Sequence, residues 1–297
     1  MTHAAAGGIA ARAGRTAARA ARGGTGALVA LPIYVVLGAF VGYPVALLAA
    51  ESVVSPHGIS FAAYARFLTT PYYRVTIVNT LLIATVATAL ATVLGTFLAF
   101  VFTFVPFRGR HLASNLLNLM IVFPTFLIAF ALILVYGSSG FFNLAALALL
   151  RRPVLDFIYT WKGIVLADVI VFTPFVMQPV MASMRLVDRR VLEVAQTLGS
   201  TGLHTVWTVV LPMIRPGIFA GSSLCYLLAL NEYGIVAFLG STSAATLPLV
   251  IYGEALLNLN LSMSAAIAVM SSLLSVTLFA LYRRLSRRPA LHTERPR

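Results

Sequence analysis

Six long runs of apolar residues, almost free of charged side chains, determine what this chain can fold into. A helix that crosses the hydrocarbon core of a bilayer needs about 20 consecutive apolar residues. We therefore predict six transmembrane helices. The first four lie at about residues 28–50, 75–107, 115–136 and 163–184, the fifth begins after Pro216-Gly217 and extends to about residue 240, and the sixth lies at about 263–282. Only 10% of the residues are charged, whereas soluble domains carry about 25%. The sequence thus predicts an all-α integral membrane protein.

Composition excludes several kinds of chemistry. The single cysteine, Cys225, cannot form an intramolecular disulfide, and one thiol is too few for a cysteine-based metal site. The only lysine, Lys162, is followed by Gly163, whereas a phosphate-binding P-loop requires Gly-Lys followed by Ser or Thr. No histidine has the spacing of a zinc-protease helix. We therefore predict no catalytic residue, no metal and no cofactor on this chain, which cannot carry a Walker-type ATPase of its own.

The basic residues indicate which side of the membrane each loop occupies, because Lys and Arg accumulate in cytoplasmic loops. With both termini placed in the cytoplasm, the inner segments hold 16 of the 21 basic residues and the outer segments hold the other 5. The net charge of +13 then serves as a topology signal and attracts the protein to anionic membrane lipid. Arg151 and Arg152 are the exception, because they fall in an outer loop, and the sequence does not explain them.

Composition also divides the chain into segments. Residues 1–26 and 284–297 are basic cytoplasmic tails, and the first of them, rich in Ala, Gly and Arg, is predicted to be disordered. Residues 27–74 hold the first span and an outer loop, and residues 75–283 form the main transmembrane domain. A cleaved signal peptide is the alternative for the first span, but its apolar run exceeds the usual length of roughly 7–15 residues. Nucleic-acid binding is excluded because the tails lack aromatic residues among the arginines.

Two carboxylates, Asp168 and Glu232, interrupt the fourth and fifth predicted spans. A charge inside the bilayer is costly and is a candidate functional site. Either both carboxylates face a water-filled vestibule or pair with basic groups, or they line a translocation path with Asn231 and Tyr233. The next residue, Gly234, weakens the helix, and irregular backbone within a membrane is tolerated mainly beside a cavity. Catalysis by the two carboxylates is not expected, because no nucleophile or metal ligand accompanies them.

The longest inner loop, residues 185–216, carries the most informative pattern. Asp188 is predicted to cap a helix, and Gly199, suited to a left-handed backbone, is predicted to end it. The apolar positions that recur on one face of this helix are Val191, Leu192, Val194, Ala195 and Leu198. A second short helix is predicted from Gly202 to Val210, before Pro212. The two helices form either a projection into the cytoplasm or an amphipathic pair on the membrane surface.

The residues of this loop resemble a known motif. Glu193-Val194-Ala195, three residues, Gly199, nine residues and then Val209-x-Leu211-Pro212 is similar to the EAA loop of binding-protein-dependent ABC importer permeases. The usual form is Glu-Ala-Ala-x3-Gly-x9-Ile-x-Leu-Pro, so all spacings agree, with valine in place of one alanine and of the isoleucine. The resemblance covers about residues 75–283.

The resemblance implies a type I ABC importer permease fold in the bacterial inner membrane, where two permeases, copies or paralogues, enclose the pathway. A periplasmic binding protein would deliver the solute, and a dimer of a separate ABC ATPase, which uses the ATP, would dock on residues 185–216. Glu193, Ala195 and Gly199 would then be the docking elements, while Leu211 and Pro212 would fix the return to the fifth span.

The substrate is indicated by two further segments. Asn231-Glu232-Tyr233-Gly234-Ile235-Val236 and Thr246-Leu247-Pro248-Leu249-Val250-Ile251-Tyr252 resemble the branch that serves phosphonates such as 2-aminoethylphosphonate. Polyamine, sulfate, thiamine and ferric-ion permeases carry related segments and remain alternatives. An ion-coupled secondary transporter that uses Asp168 and Glu232 is the alternative of another class, although the internal repeat that such folds often show is not seen. A third possible function is that of a structural membrane subunit.

Overall fold

The computed structural model describes residues 32–55, 58–153, 155–240 and 244–286. Within these ranges the chain is helical apart from its connections and one short pair of strands, in which β1 (Val54–Ser55) pairs antiparallel with β2 (Gly58–Ile59). The predicted tail at 1–26, nearly all of the tail at 284–297 and the first positions of the predicted first span lie outside the described residues.

The helices form a series of long apolar segments joined by shorter ones. They are α1 (Pro32–Glu51), α2 (Ala62–Thr69), α3 (Pro71–Phe104), α4 (Arg110–Leu119), α5 (Thr125–Tyr136), α6 (Phe141–Leu150), α7 (Trp161–Arg185), α8 (Arg189–Thr197), α9 (Gly202–Thr205), α10 (Leu211–Leu230), α11 (Gly234–Leu239), α12 (Leu247–Tyr252) and α13 (Leu261–Ser286). Wider π-helical turns occur within α1, between α9 and α10, and after α12, at Gly38–Gly42, Val206–Val210 and Gly253–Leu257.

Six helical segments of the described chain are long and apolar enough to cross a membrane, which confirms the predicted number. The spans Pro71–Phe104, Trp161–Arg185 and Leu261–Arg284 lie close to the predicted second, fourth and sixth runs. The second span, at 34 residues, is longer than a bilayer requires, so it must tilt or extend beyond the hydrocarbon.

The third span begins later and extends farther than the sequence predicts. It comprises α5 and α6, Thr125–Leu150, instead of residues 115–136. A turn that ends at Pro124 separates α4 from α5. Proline has no N–H with which to continue a helix, so the helix that begins before it does not run on into α5. The segment 137–140 does end α5, as predicted, but an apolar helix resumes at once as α6.

The fifth span also differs, since it runs from Val206 to Leu230 instead of starting after Pro216-Gly217 and continuing to residue 240. The helix stops at residues 231–233 and resumes as α11. Glu232 is therefore part of a helix break that follows the span, and not a carboxylate within a continuous helix.

The core of the molecule is centred on α7, which packs against α3 and α10. A Cβ added at Gly95 of α3 would lie 2.9 Å from the Cβ of Val176 in α7, and one added at Gly221 of α10 would lie 2.8 Å from the Val176 Cα. Both separations are shorter than real Cβ contacts, so Val176 fits between two glycines. Between helices in lipid, such close van der Waals packing replaces the hydrophobic effect as a source of association. α1, by contrast, has no buried residue among those described and packs at the periphery against α13.

Candidate coupling surface and translocation path

The ends of α8 are fixed as the sequence predicts. Asp188 Oδ1 accepts a hydrogen bond of 3.0 Å from the backbone N–H of Arg190, which satisfies a donor of the first turn. At the other end Gly199 has φ of +83°, and the Ser200 N–H donates to the Ala195 carbonyl over 3.0 Å. This is the arrangement of a Schellman motif, in which a left-handed glycine ends a helix. α8 therefore has defined ends on both sides.

α8 presents apolar and acidic side chains away from the transmembrane core. Glu193 is exposed, while Val194 and Leu198 are 57% and 83% exposed. Leu192 instead packs against the core, and Ala195 is half-buried. The predicted apolar face is thus divided between inward packing and exposure. Large apolar side chains exposed together in one loop are typical of an interaction surface.

The second predicted helix of this loop is not a separate short helix. α9 continues through the π-helical turn into α10, so the chain from Gly202 leads without a break into the fifth span, which begins at Val206. Leu211 and Pro212 consequently lie inside a continuous helix and not at a return between two helices. A π turn accommodates Pro212, because its ring removes one N–H and would clash with the carbonyl four residues earlier in a regular α-helix.

Glu232 joins separate elements at the break between α10 and α11. It is 9% exposed, and its Oε1 accepts hydrogen bonds of 2.9 Å from the Thr125 hydroxyl and 2.8 Å from the Ile235 N–H. A Cβ at Gly234 would lie 2.6 Å from the Thr125 Oγ1, so only glycine fits there. The described partners of Glu232 are thus a hydroxyl and a backbone N–H, and not the basic side chain considered from the sequence.

Asp168 lies in α7 and is only 1% exposed. Neither of its carboxylate oxygens has a hydrogen-bond partner among the described residues. α7, which carries Asp168, packs against α11, the helix that follows Glu232. The structure therefore places the two predicted carboxylates in neighbouring elements, although they are far apart in the chain, and both are buried.

Asn231 and Tyr233 have different surroundings from the two carboxylates. Asn231 is exposed, and its Nδ2 donates to the Leu227 carbonyl over 2.8 Å. The ring of Tyr233 packs against that of Tyr252, with 4.8 Å between centroids. Sequence reasoning misses Thr125, and it names Tyr252 only as the end of a segment that indicates the substrate, because both contacts join distant segments. Within the described ranges, no group of three or more His, Cys, Asp or Glu side chains could hold a metal ion.

Comparison with known proteins places this geometry in a family. Residues 91–290 match the family described as binding-protein-dependent transport system inner membrane component. A relative from Salmonella paratyphi A, provisionally named the 2-aminoethylphosphonate transport system permease protein PhnU, is 35% identical over 89% of this chain and 92% of its own length. The sulfate transport system permease protein CysT of Salmonella typhimurium is 32% identical over 63% of this chain and 66% of its own length.

The fold also matches a solved structure. The crystal structure of a bacterial ABC transporter involved in the import of the acidic polysaccharide alginate contains a chain that superposes with a TM-score of 0.80. The alignment covers 92% of this chain and 99% of the other at 16% identity, so it shows a shared fold.

Proposed function

The chain belongs to the family of binding-protein-dependent transport system inner membrane components, and from that premise we propose that it imports a small phosphonate, 2-aminoethylphosphonate being the preferred substrate. It is a multi-pass bacterial membrane protein and an ABC importer permease with the type I fold. The observation that carries the substrate is the alignment with the 2-aminoethylphosphonate permease over 92% of that protein's length. The sulfate permease aligns over only 66% of its length and so gives weaker support for sulfate.

The energy for import comes from a separate ABC ATPase dimer that hydrolyses ATP and docks on residues 185–216. Three features of α8 support this: the capped ends, the exposed Glu193 and Val194, and the exposed Leu198. No atom of the described residues lies within 4 Å of the position that a Cβ of Gly199 would occupy, so this end of α8 is open to a partner. The chain itself has no P-loop lysine.

A second permease, a copy or a paralogue, completes the pathway, and a periplasmic binding protein delivers the solute. The dependence on a binding protein in the family description supports the second of these partners. In this proposal both termini lie in the cytoplasm, which is supported by the even number of spans in the described part of the chain and by the excess of basic residues in the inner segments. α8 then lies on the cytoplasmic side, where an ATPase can reach it.

Asp168, Glu232, Asn231 and Tyr233 border the translocation path in this proposal. The supporting observations are a helix break within the membrane domain and a buried carboxylate without a described hydrogen-bond partner. Buried polar groups of this kind are costly and are retained mainly where they serve a function.

Uptake by cells tests the proposal. A strain that lacks this gene is compared with the same strain carrying it, and accumulation of radiolabelled 2-aminoethylphosphonate is measured with and without excess unlabelled sulfate. We expect uptake only with the gene and no competition by sulfate. Replacing the P-loop lysine of the partner ATPase should abolish uptake. Uptake that persists without a functional ATPase would instead indicate an ion-coupled secondary transporter.

A further inference from the structure

A cavity of about 800 Å³ lies at the end of the transmembrane domain that bears α8. Its walls are the last residues of α3, one side of α4, the last turns of α7 and Leu192 of α8. The volume falls in the range of small-molecule sites, roughly 300–1,000 Å³. Gln178, the lining residue of α7 nearest to Asp168, lies about 15 Å from it along the helix at 1.5 Å per residue. The cavity is therefore separate from the buried carboxylates.

The charge of this cavity is entirely positive. Among its described lining residues two are arginines, Arg110 of α4 and Arg185 of α7, and none is acidic. Arg110 Nε donates to His111 Nε2 over 3.4 Å. This bond uses one of the five N–H donors of the guanidinium. The remaining donors can serve an anionic ligand.

Neutral polar side chains complete the lining. Gln178 Nε2 donates to Asn118 Oδ1 over 3.2 Å, which links α7 to α4 at the cavity wall. Ser114 and Asn115 of α4 also line it. Hydroxyl and amide groups donate hydrogen bonds without adding charge, so they can complete a shell that the arginines begin.

The two faces of α4 explain how these groups come together. Arg110, Ser114 and Asn118 recur every four residues and line the cavity. The leucines on the opposite side are exposed: Leu112, Leu116 and Leu119. Polar side chains near the bilayer must face protein or water, so α4 separates an apolar environment from a polar, positively charged one.

We propose that this cavity binds a tetrahedral oxyanion, the phosphonate or phosphate group of a small solute or of a lipid headgroup, with Arg110 and Arg185 as its charged ligands. Guanidinium groups match such oxyanions because two parallel N–H donors can reach two oxygens. The preference for a phosphonate among soluble ligands rests on the proposed function. The affinity for an oxyanion rests on the lining residues alone.

The competing explanation is that these arginines are only topology signals at the inner ends of spans. Arg108 provides the matched control, because it is exposed, precedes Arg110 by two residues and does not line the cavity. If both arginines were only topology signals, replacing either one would have the same effect on oxyanion binding. If the cavity is an oxyanion site, replacing Arg110 weakens that binding and replacing Arg108 does not.

Protection of an introduced thiol tests the site. In the purified full chain, Ser114→Cys places a thiol in the cavity wall, and the native Cys225 is fully buried and should remain unreactive. The rate of reaction with the neutral reagent N-ethylmaleimide is measured with inorganic phosphate, 2-aminoethylphosphonate or chloride at equal ionic strength. The measurement is repeated with Arg110→Gln plus Arg185→Gln, and with Arg108→Gln.

We expect phosphate and 2-aminoethylphosphonate, but not chloride, to slow the reaction. Arg110→Gln plus Arg185→Gln should raise the half-protecting concentration about tenfold or more, since charge-assisted bonds are lost, while Arg108→Gln leaves it unchanged. In liposomes without soluble oxyanion, protection by phosphatidylglycerol but not by phosphatidylcholine alone would assign the bound group to lipid. Protection by no oxyanion, equal effects of the arginine variants or an unreactive thiol would overturn the proposal.

The outcome is independent of transport, because the assay uses the chain without its ATPase. Normal phosphonate uptake in cells with no protection of the thiol would reject this site and leave the proposed function intact. Protection by phosphate in a protein that does not support phosphonate uptake would support this site and reject the proposed function.

Discussion

The Thr125 hydroxyl at the start of α5 donates a hydrogen bond of 2.9 Å to Glu232 Oε1, 107 residues later in the chain. The same oxygen accepts from the Ile235 N–H, so one carboxylate holds α5 and the start of α11 together. A buried donor or acceptor without a partner costs about 1–3 kcal/mol. Glu232 therefore stabilises the helix break as well as lying beside the proposed path.

Replacing Thr125 with valine removes this hydroxyl while keeping the branched shape of the side chain. We expect Thr125→Val to lower the free energy of unfolding by about 1–3 kcal/mol, seen as a lower thermal midpoint of the purified protein in detergent. Thr125→Ser, which retains the hydroxyl, should lose less. Equal losses for serine and valine would show that the methyl group, and not the hydrogen bond, matters at this position.

Replacing Asp168 should not lower the free energy of unfolding, in contrast to replacing Thr125, because the Asp168 carboxylate is buried without a described hydrogen-bond partner. Asp168→Asn keeps the shape and removes the cost of enclosing a possible charge, so the free energy of unfolding should stay level or rise by about 1 kcal/mol. Phosphonate uptake should fall if the carboxylate serves the path. Asp156→Asn, at an exposed position, is the control and should change neither quantity. A lower thermal midpoint for Asp168→Asn would indicate a structural role instead.

The sequence predicts the parts of this molecule that depend on local chemistry. Apolar length sets the number of spans, and the ends of α8 follow from Asp188 and Gly199, since a cap and a left-handed glycine act within a few residues. Some of the departures arise where proline changes a helix, at Pro124 and Pro212, because a proline can end a helix or be absorbed by a wider turn. That choice depends on what packs around it.

The candidate site was predictable only in part for a related reason. Asp168 and Glu232 are recognisable because charges are rare in spans, yet their surroundings come from Thr125 and other residues of distant helices. The cavity next to α8 is lined from α3, α4, α7 and α8, so no single stretch of sequence reveals it.

Because α3 packs closely on α7, adding a single methyl group at Gly95 should lower the stability of the protein. In Gly95→Ala the new Cβ would lie 2.9 Å from the Val176 Cβ and 3.0 Å from the Thr173 carbonyl oxygen. Overpacking of this kind destabilises by about 1–3 kcal/mol, measured as a lower thermal midpoint. Gly38→Ala is the matched control, since no described atom lies within 4 Å of its Cβ position and alanine favours a helix by about 1 kcal/mol over glycine. Similar midpoints for the two variants would contradict the packing assigned to Gly95.

Gly199→Asp tests the docking role of α8 without disturbing the membrane domain. The new side chain enters open space, so insertion and the thermal midpoint should change little beyond the strain of a left-handed residue, about 1–2 kcal/mol. A second carboxylate beside the exposed Glu193 would, however, occupy the space that the ATPase needs. We therefore expect normal membrane insertion, loss of the ATPase on copurification and loss of phosphonate uptake.

The control for this prediction must match the backbone strain of Gly199. Gly58 also has a positive φ, +111°, and open space around its Cβ position, but it belongs to β2 and not to the loop that carries α8. Gly58→Asp should therefore keep the ATPase in the purified complex. If Gly199→Asp also retains the ATPase and normal uptake, α8 is not the docking element. If both variants lose the ATPase, the cause is strain in the fold, because only a local effect on docking can separate two glycines that both have a positive φ.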